Sequence, residues 1–190
     1  MEWGMIDLLP KVQNIDMLVN AYMGDIQMSW LVKIMQYITV LGNSLFYPGL
    51  SIIVYAYLVF KKRRIEGAFL YLSLFSAWGI MEYLKRIFER ARPMGEHLTA
   101  ATGFSFPSGH AMVSAAFYGF LAYLLFSLVR GWGRSGAVLL IVLVFLIGFS
   151  RVYLNVHYTS DVIAGWFLGA ICATVSVIIM KWVQNRYKFR

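Results

Sequence analysis

Residues 108–129 read SGHAMVSAAFYGFLAYLLFSLV, 22 positions without one Asp, Glu, Lys or Arg. Wound as an α-helix, such a run is about 33 Å long, enough to cross the hydrocarbon core of a bilayer. Working outward, residues 135–149 are likewise free of charge, and residues 162–183 and 67–84 are apolar runs with one charge each near an end, Lys181 and Glu82. Residues 44–60 form a further apolar run of 17 residues, at the lower limit for a span. All five runs have helix length rather than strand length. The composition agrees: 60% of the 190 residues are apolar and 14% are charged, and the mean hydropathy is +0.66. That balance excludes both a water-soluble globule and a disordered chain. The expected fold is all-α, a polytopic membrane helical bundle formed by residues 44–183 within one domain spanning residues 1–190.

Residues 1–43 differ in character. Trp30, Leu31, Ile34, Met35, Ile38 and Leu41 fall on one helical face while Lys33 and Gln36 fall off it, the pattern of an amphipathic helix on the membrane surface. The N-terminal region is therefore expected to be interfacial and helical. The alternative is a sixth span there, or a first span merged with the next. Asp7, Lys11, Asp16, Asp25 and Lys33 interrupt every candidate, which favours five. The N-terminus lacks the basic and then apolar pattern of a cleaved signal peptide.

The net charge of +8 comes from 17 Lys+Arg against 9 Asp+Glu. With no polar domain to carry it, the excess points to membrane orientation and not to nucleic acid. Lys61, Lys62, Arg63 and Arg64, then Arg130 and Arg134, then Lys181, Arg186, Lys188 and Arg190 make up 10 of the 17 basic residues, with Glu66 as their acidic neighbour. Five spans with an external N-terminus put all three clusters, and the C-terminus, on the cytoplasmic side. Trp132, Trp182 and Tyr187 suit the interface there. The loops near residues 85–107 and 150–161 then share the external face.

Those two loops hold the unusual polar residues. KRIFERARP brings Lys85 and Arg92, FPSGH brings Ser108, Gly109 and His110, and SRVYLNVHYTSD brings Arg151, His157 and Asp161. Lys85, Arg92 and Arg151 are three cations suited to a phosphate-like oxyanion. Ser108 and Gly109 stand at a helix N-terminus, where free N–H groups and the helix dipole also favour an anion. Pro107 suits the first helical turn. His157 precedes Asp161 by four residues, so one helical turn brings the carboxylate to the imidazole, fixing its tautomer and strengthening the other nitrogen as a nucleophile. His110 is placed to protonate a leaving oxygen and then activate water. Taken singly, each piece has a plainer explanation. A lone His or Arg at a span end is an interfacial anchor, and Lys85–Glu89 and Glu82–Arg86 could be paired charges on a solvated helix end.

Taken together, K-x6-R-P, PSGH and SR-x5-H-x3-D resemble the signature of the type 2 phosphatidic acid phosphatase (PAP2) superfamily, with all eleven motif positions present. The resemblance runs over residues 85–161 by motif. It implies a metal-independent membrane lipid phosphatase without a cofactor. His157 would form a phosphohistidine oriented by Asp161, His110 would be the acid, and Lys85, Arg92, Ser108, Gly109 and Arg151 would hold the phosphate. The expected substrate is a lipid phosphate: undecaprenyl diphosphate, phosphatidylglycerol phosphate or phosphatidate, reached from the bilayer of a bacterial inner membrane. A phosphotransferase would use the same residues. A transporter would instead need ionisable residues near mid-span, and these cluster at span ends. Gly165 and Gly169 form a GxxxG that reads as packing within the chain rather than dimerisation; the oligomeric state stays open. Arg86 and Arg90 suit either headgroup contact or surface anchoring, and His97 receives no role. Cys172 and the ten methionines are expected to pack rather than bind metal.

Overall fold

The computed structural model describes residues 3–43 and 46–188 and consists of seven helices among them: α1 (Trp3–Asp25), α2 (Ser29–Val40), α3 (Phe46–Phe60), α4 (Arg64–Phe88), α5 (Gly109–Leu128), α6 (Gly133–Tyr153) and α7 (Thr159–Lys188). Ser44 and Arg190 lie outside the described residues, as do the side chains of Tyr187 and Lys188. Among the described residues, three helices are both long and apolar enough to cross a membrane: α5, α6 and α7 over Thr159–Arg186. α3 has 15 residues, about 22 Å of rise. α4 has 25 residues and ample length, but its tyrosines, serines, Trp78 and Glu82 dilute its apolar character. Four clear spans and a fifth at the lower length limit were expected; α3 is indeed short, and α4 ranks below α5, α6 and α7 in apolar character.

α5 is the hub. Eleven of its residues are buried, including Met112, Phe117 and Phe120 with no exposure. It packs on α4, α6 and α7. The close approach of α7 explains its GxxxG: a Cβ on Gly165 would lie 2.8 Å from the Ser108 carbonyl oxygen, and one on Gly169 would collide with that of Met112. This is packing within the chain, as expected. The outward faces of α3, α6 and α7 remain apolar, with Ile53, Phe60, Val138, Leu139, Ile163 and Phe167 all more than half exposed. A surface of that extent belongs in lipid rather than water.

α4 and α6 end, and α5 and α7 begin, at the same end of the bundle. At the opposite end, Lys181 of α7 lies over the Tyr123 ring of α5 and Arg134 over Phe126. Basic clusters and motif residues thus occupy opposite ends.

The N-terminal helices are more engaged than an interfacial reading requires. α2 packs Leu31, Met35 and Ile38 against Tyr153, Leu154 and Val156, while Trp30 and Ile34, of the same expected face, stay exposed. α1 sets Val19 and Met23 against Ala111, Val152 and Val162. Both helices therefore sit on the motif end. Pro107 is not in the first turn of α5. Ser108 is the N-cap and Gly109 the first helical residue, so Pro107 precedes the cap, joined to Phe106 by a cis peptide bond.

Candidate active site

All eight candidate residues meet at one place. A cavity of about 750 Å³ is lined at its polar end by Lys85, Arg92, Gly109, His110, Arg151 and His157. Ser108 and Asp161 lie directly behind that wall, with no exposure. Helix ends deliver Lys85 (last turn of α4), His110 (first of α5), Arg151 (last of α6) and Asp161 (first of α7), while Arg92 and His157 come from the loops after α4 and α6. From there the cavity continues between α3 and α4 along Tyr47, Ile52, Leu74, Phe75 and Trp78. It is polar at one end and apolar along its length.

The polar end holds three cations, Lys85, Arg92 and Arg151, that form no ion pair with a carboxylate among the described residues. Among the described residues, neither Lys85–Glu89 nor Glu82–Arg86 forms an ion pair, so the paired-helix-end explanation fails. Arg151 is 2% exposed and donates from Nη1 to Thr39 Oγ1 at 2.7 Å, while its Nε has no partner among the described residues. Ser108 Oγ is likewise buried and unpartnered, although serine at an N-cap usually bonds the helix's own N–H groups. Buried polar atoms left open cost stability unless something completes them. Like charges gathered in a partly buried wall favour an anion for the same reason.

On the other side of the wall, His157 is held by a closed network. Arg92 donates from Nε to the Gly103 carbonyl at 2.9 Å, from Nη2 to that of Thr102 at 2.7 Å, and from Nη1 to that of Val156 at 2.7 Å. The same Nη1 stands 3.2 Å from His157 Nε2. A guanidinium has no lone pair to offer, so Nε2 is the acceptor and the ring proton sits on Nδ1. Nδ1 lies 3.3 Å from Ser105 Oγ and 3.5 Å from Asp161 Oδ2, while Ser105 Oγ donates to Asp161 Oδ2 at 2.5 Å. The hydroxyl therefore bridges a carboxylate and an imidazole expected to meet directly. Asp161 Oδ2 also accepts from the Tyr158 N–H at 2.9 Å. Burial, followed by the positive charges of Arg92 and Arg151 and opposed by Asp161, lowers the His157 pKa to about 4. Its imidazole is neutral at pH 7.

The loop that carries His157 is fixed from both ends. The Arg151 carbonyl accepts from the N–H groups of Val156 at 3.1 Å and His157 at 3.2 Å. Asn155, in the left-handed region at φ 54°, donates to the carbonyls of Met94 at 3.0 Å and Glu96 at 3.2 Å. Asparagine tolerates that conformation better than most residues.

Several contributors lie outside the motif positions. Asp16 and Asn20 come from α1, Thr39 from α2, Ser105 precedes the PSGH block, and Ser160 fills a variable position between His157 and Asp161. Arg90, considered for a headgroup or an anchor, is instead turned inward onto Asp161 Oδ1 at 2.6 Å. The sequence signal for Asp16 and Thr39 was only a polar residue interrupting an apolar face. His97 contacts the Pro93 carbonyl at 2.9 Å, away from the cavity wall.

The PAP2 superfamily model matches residues 66–187. Phosphatidylglycerophosphatase B of Bacillus subtilis is 34% identical over 163 residues, covering 84% of this chain and 80% of that protein. An undecaprenyl-diphosphatase of Sulfolobus acidocaldarius is 35% identical over 128 residues, covering 64% of this chain and 59% of that protein. The crystal structure of a transmembrane PAP2-type phosphatidylglycerolphosphate phosphatase from Bacillus subtilis superposes with a TM-score of 0.83 at 31% identity, over 93% of this chain and 87% of the other. Aquifex aeolicus LpxE shares the fold, with a TM-score of 0.71 at 23% identity over 86% of this chain and 94% of the other. With a buried histidine beside an open cationic wall, and a match over most of its length, the chain belongs to the PAP2 superfamily and is an integral-membrane lipid phosphatase.

Proposed function

We propose that the protein removes phosphate from a lipid phosphate ester or diphosphate at the external membrane face, through a phosphohistidine on His157. One observation carries this reading: the open cationic wall is continuous with an apolar cavity between α3 and α4, so a headgroup and the start of its tail fit one path. Phosphatidylglycerol phosphate and undecaprenyl diphosphate are the preferred substrates, supported by the names of the relatives, with phosphatidate third.

The chemistry follows from the donors. Lys85, Arg92, Arg151, Ser108 Oγ and the N-terminal N–H groups of α5 at Gly109 bind the phosphoryl oxygens and stabilise their charge as it shifts in the transition state. His157 Nε2 attacks phosphorus, a P–N bond forms and the P–O bond to the lipid breaks. His110 passes its proton to the departing oxygen. Nδ1 keeps its proton toward Ser105 and Asp161, so the carboxylate offsets the positive charge of the phosphoimidazole. Water then attacks phosphorus and gives its proton to His110; the P–N bond breaks and inorganic phosphate leaves. The cations perform the electrostatic work, so no metal or cofactor enters this scheme.

Five spans, α3 to α7, with the motif end outside and the basic end cytoplasmic, form the proposed topology in a bacterial inner membrane. It is supported by the separation of the two charge populations. α1 and α2 then lie at the external interface, where Ile15, Leu18, Tyr22, Trp30 and Tyr37 are exposed to lipid. Purified protein given each of the three lipids in EDTA is expected to release phosphate, and His157→Ala to release none. A strict need for a divalent metal would overturn the scheme.

A further inference from the structure

Asp161 carries one oxygen toward His157 and one away from it, and the away side is built as carefully as the near side. Oδ1 accepts from Arg90 Nη1 at 2.6 Å, and the same nitrogen reaches Ser160 Oγ at 2.7 Å. Arg90 Nη2 donates to Asp16 Oδ2 at 2.7 Å. Asp16 is 2% exposed; its Oδ1 accepts the Ser160 N–H at 2.9 Å, and its Oδ2 accepts the Ser160 hydroxyl at 2.5 Å. The Arg90 guanidinium also lies over the Tyr158 ring, 4.2 Å from its centroid. One planar cation thus joins a carboxylate of α1 to a carboxylate of α7.

We propose that Asp16 and Arg90 are positioning residues for the reaction: α1 holds the Asp161 carboxylate through Arg90, so that Oδ2 faces Ser105 and His157. The proposal rests on His157 being the nucleophile. A tether for α1 would need only the Arg90–Asp16 pair, but the fork also occupies Oδ1 of Asp161. That fixes rotation about the carboxylate and leaves Oδ2 for Ser105, the Tyr158 N–H and the imidazole. The other contacts of α1 converge on the same loop: Asn20 Nδ2 donates to the His157 carbonyl at 3.3 Å and to Asn155 Oδ1 at 3.1 Å. The N-terminal helix is part of the catalytic framework rather than only a surface anchor.

The test compares Asp16→Asn, Arg90→Gln and the double variant, as full chains in detergent, on each of the three lipid phosphates. Loss of a charge-assisted bond that acts through Asp161 is expected to lower kcat about 10- to 100-fold, with KM within about twofold of the parent. Because both residues act along one chain, the double variant should be no slower than Arg90→Gln alone. Asp16→Asn is isosteric and keeps an acceptor for Ser160, so it remains informative if Arg90→Gln fails to fold. Parental kcat in the folded single variants, with only a lower melting temperature, would overturn the proposal; so would effects that multiply in the double variant. His157→Ala separates the two layers. Activity in that variant removes the nucleophile assignment itself, whereas a dead His157→Ala beside fully active Asp16→Asn and Arg90→Gln removes only the positioning role.

Discussion

The two sides of His157 are built on opposite principles. Behind the ring, Ser105, Asp161, Arg90, Asp16 and Ser160 form a closed set of hydrogen bonds. In front of it, Ser108 Oγ and Arg151 Nε are buried without partners among the described residues, and Lys85 has no ion pair there. The closed side fixes a tautomer and an orientation. In the proposed mechanism the open side holds donors for charge that arrives with the substrate, the arrangement that preorganised electrostatic catalysis requires.

Three substitutions probe that contrast, in decreasing order of effect. Removing the atom between the two sides should be worst: His157→Ala is expected to lower kcat by roughly 10⁴-fold or more, as loss of a nucleophile does, in a phosphate-release assay. On the open side, Arg151→Ala should lower kcat/KM by about 10²- to 10³-fold, the usual loss when a transition-state donor goes. Steady-state kinetics will show whether the loss falls mainly on kcat, as a transition-state contact requires. On the closed side, Ser105→Ala breaks the hydroxyl bridge but leaves Asp161 3.5 Å from Nδ1, close enough to move into direct contact. A loss of about 10-fold in kcat is expected, within the worth of one hydrogen bond to a charged group. Should Ser105→Ala be as damaging as Arg151→Ala, the closed side would be contributing far more than orientation.

A smaller effect concerns pH. Burial holds the His157 pKa at about 4 in the folded protein, against about 6.5 in an unfolded chain. Between those values the unfolded state binds more protons, so stability rises with pH. The contribution of this residue is complete above about pH 6.5 and is lost as pH falls toward 4. Melting temperatures in detergent between pH 7 and 4 should therefore fall more steeply for the parent than for His157→Asn. Equal slopes would contradict a buried, neutral imidazole.

The open side was legible in the sequence and much of the closed side was not, for a physical reason. Lys85, Arg92, Ser108, Gly109, His110, Arg151, His157 and Asp161 lie in short blocks at the ends of apolar runs, so helical spacing and charge asymmetry bring them to one face. Asp16 contacts Ser160 across 144 positions of chain, and no local spacing encodes that pairing. Thr39 was hidden in another way. The apolar stripe of α2 looked like a lipid-facing surface, but half of it packs on the end of α6 and carries Thr39 to Arg151. Ser105 stood two residues outside a recognised block. The helical class was readable from run length, but α4 was less distinct because site residues and aromatic side chains dilute its apolar character. Pro107 was expected in the first helical turn, but Ser108 takes the N-cap itself and leaves Pro107 just outside the helix.

The central claim is that His157 Nε2, held by the closed side and facing the open one, takes the phosphoryl group. Purified protein mixed with phosphatidylglycerol phosphate labelled in its terminal phosphate, in EDTA, and quenched in base within milliseconds tests it most directly. The account predicts label on the peptide containing His157, lost on chase with unlabelled substrate and absent from His157→Ala. Label on any other residue, or turnover by His157→Ala, would contradict it.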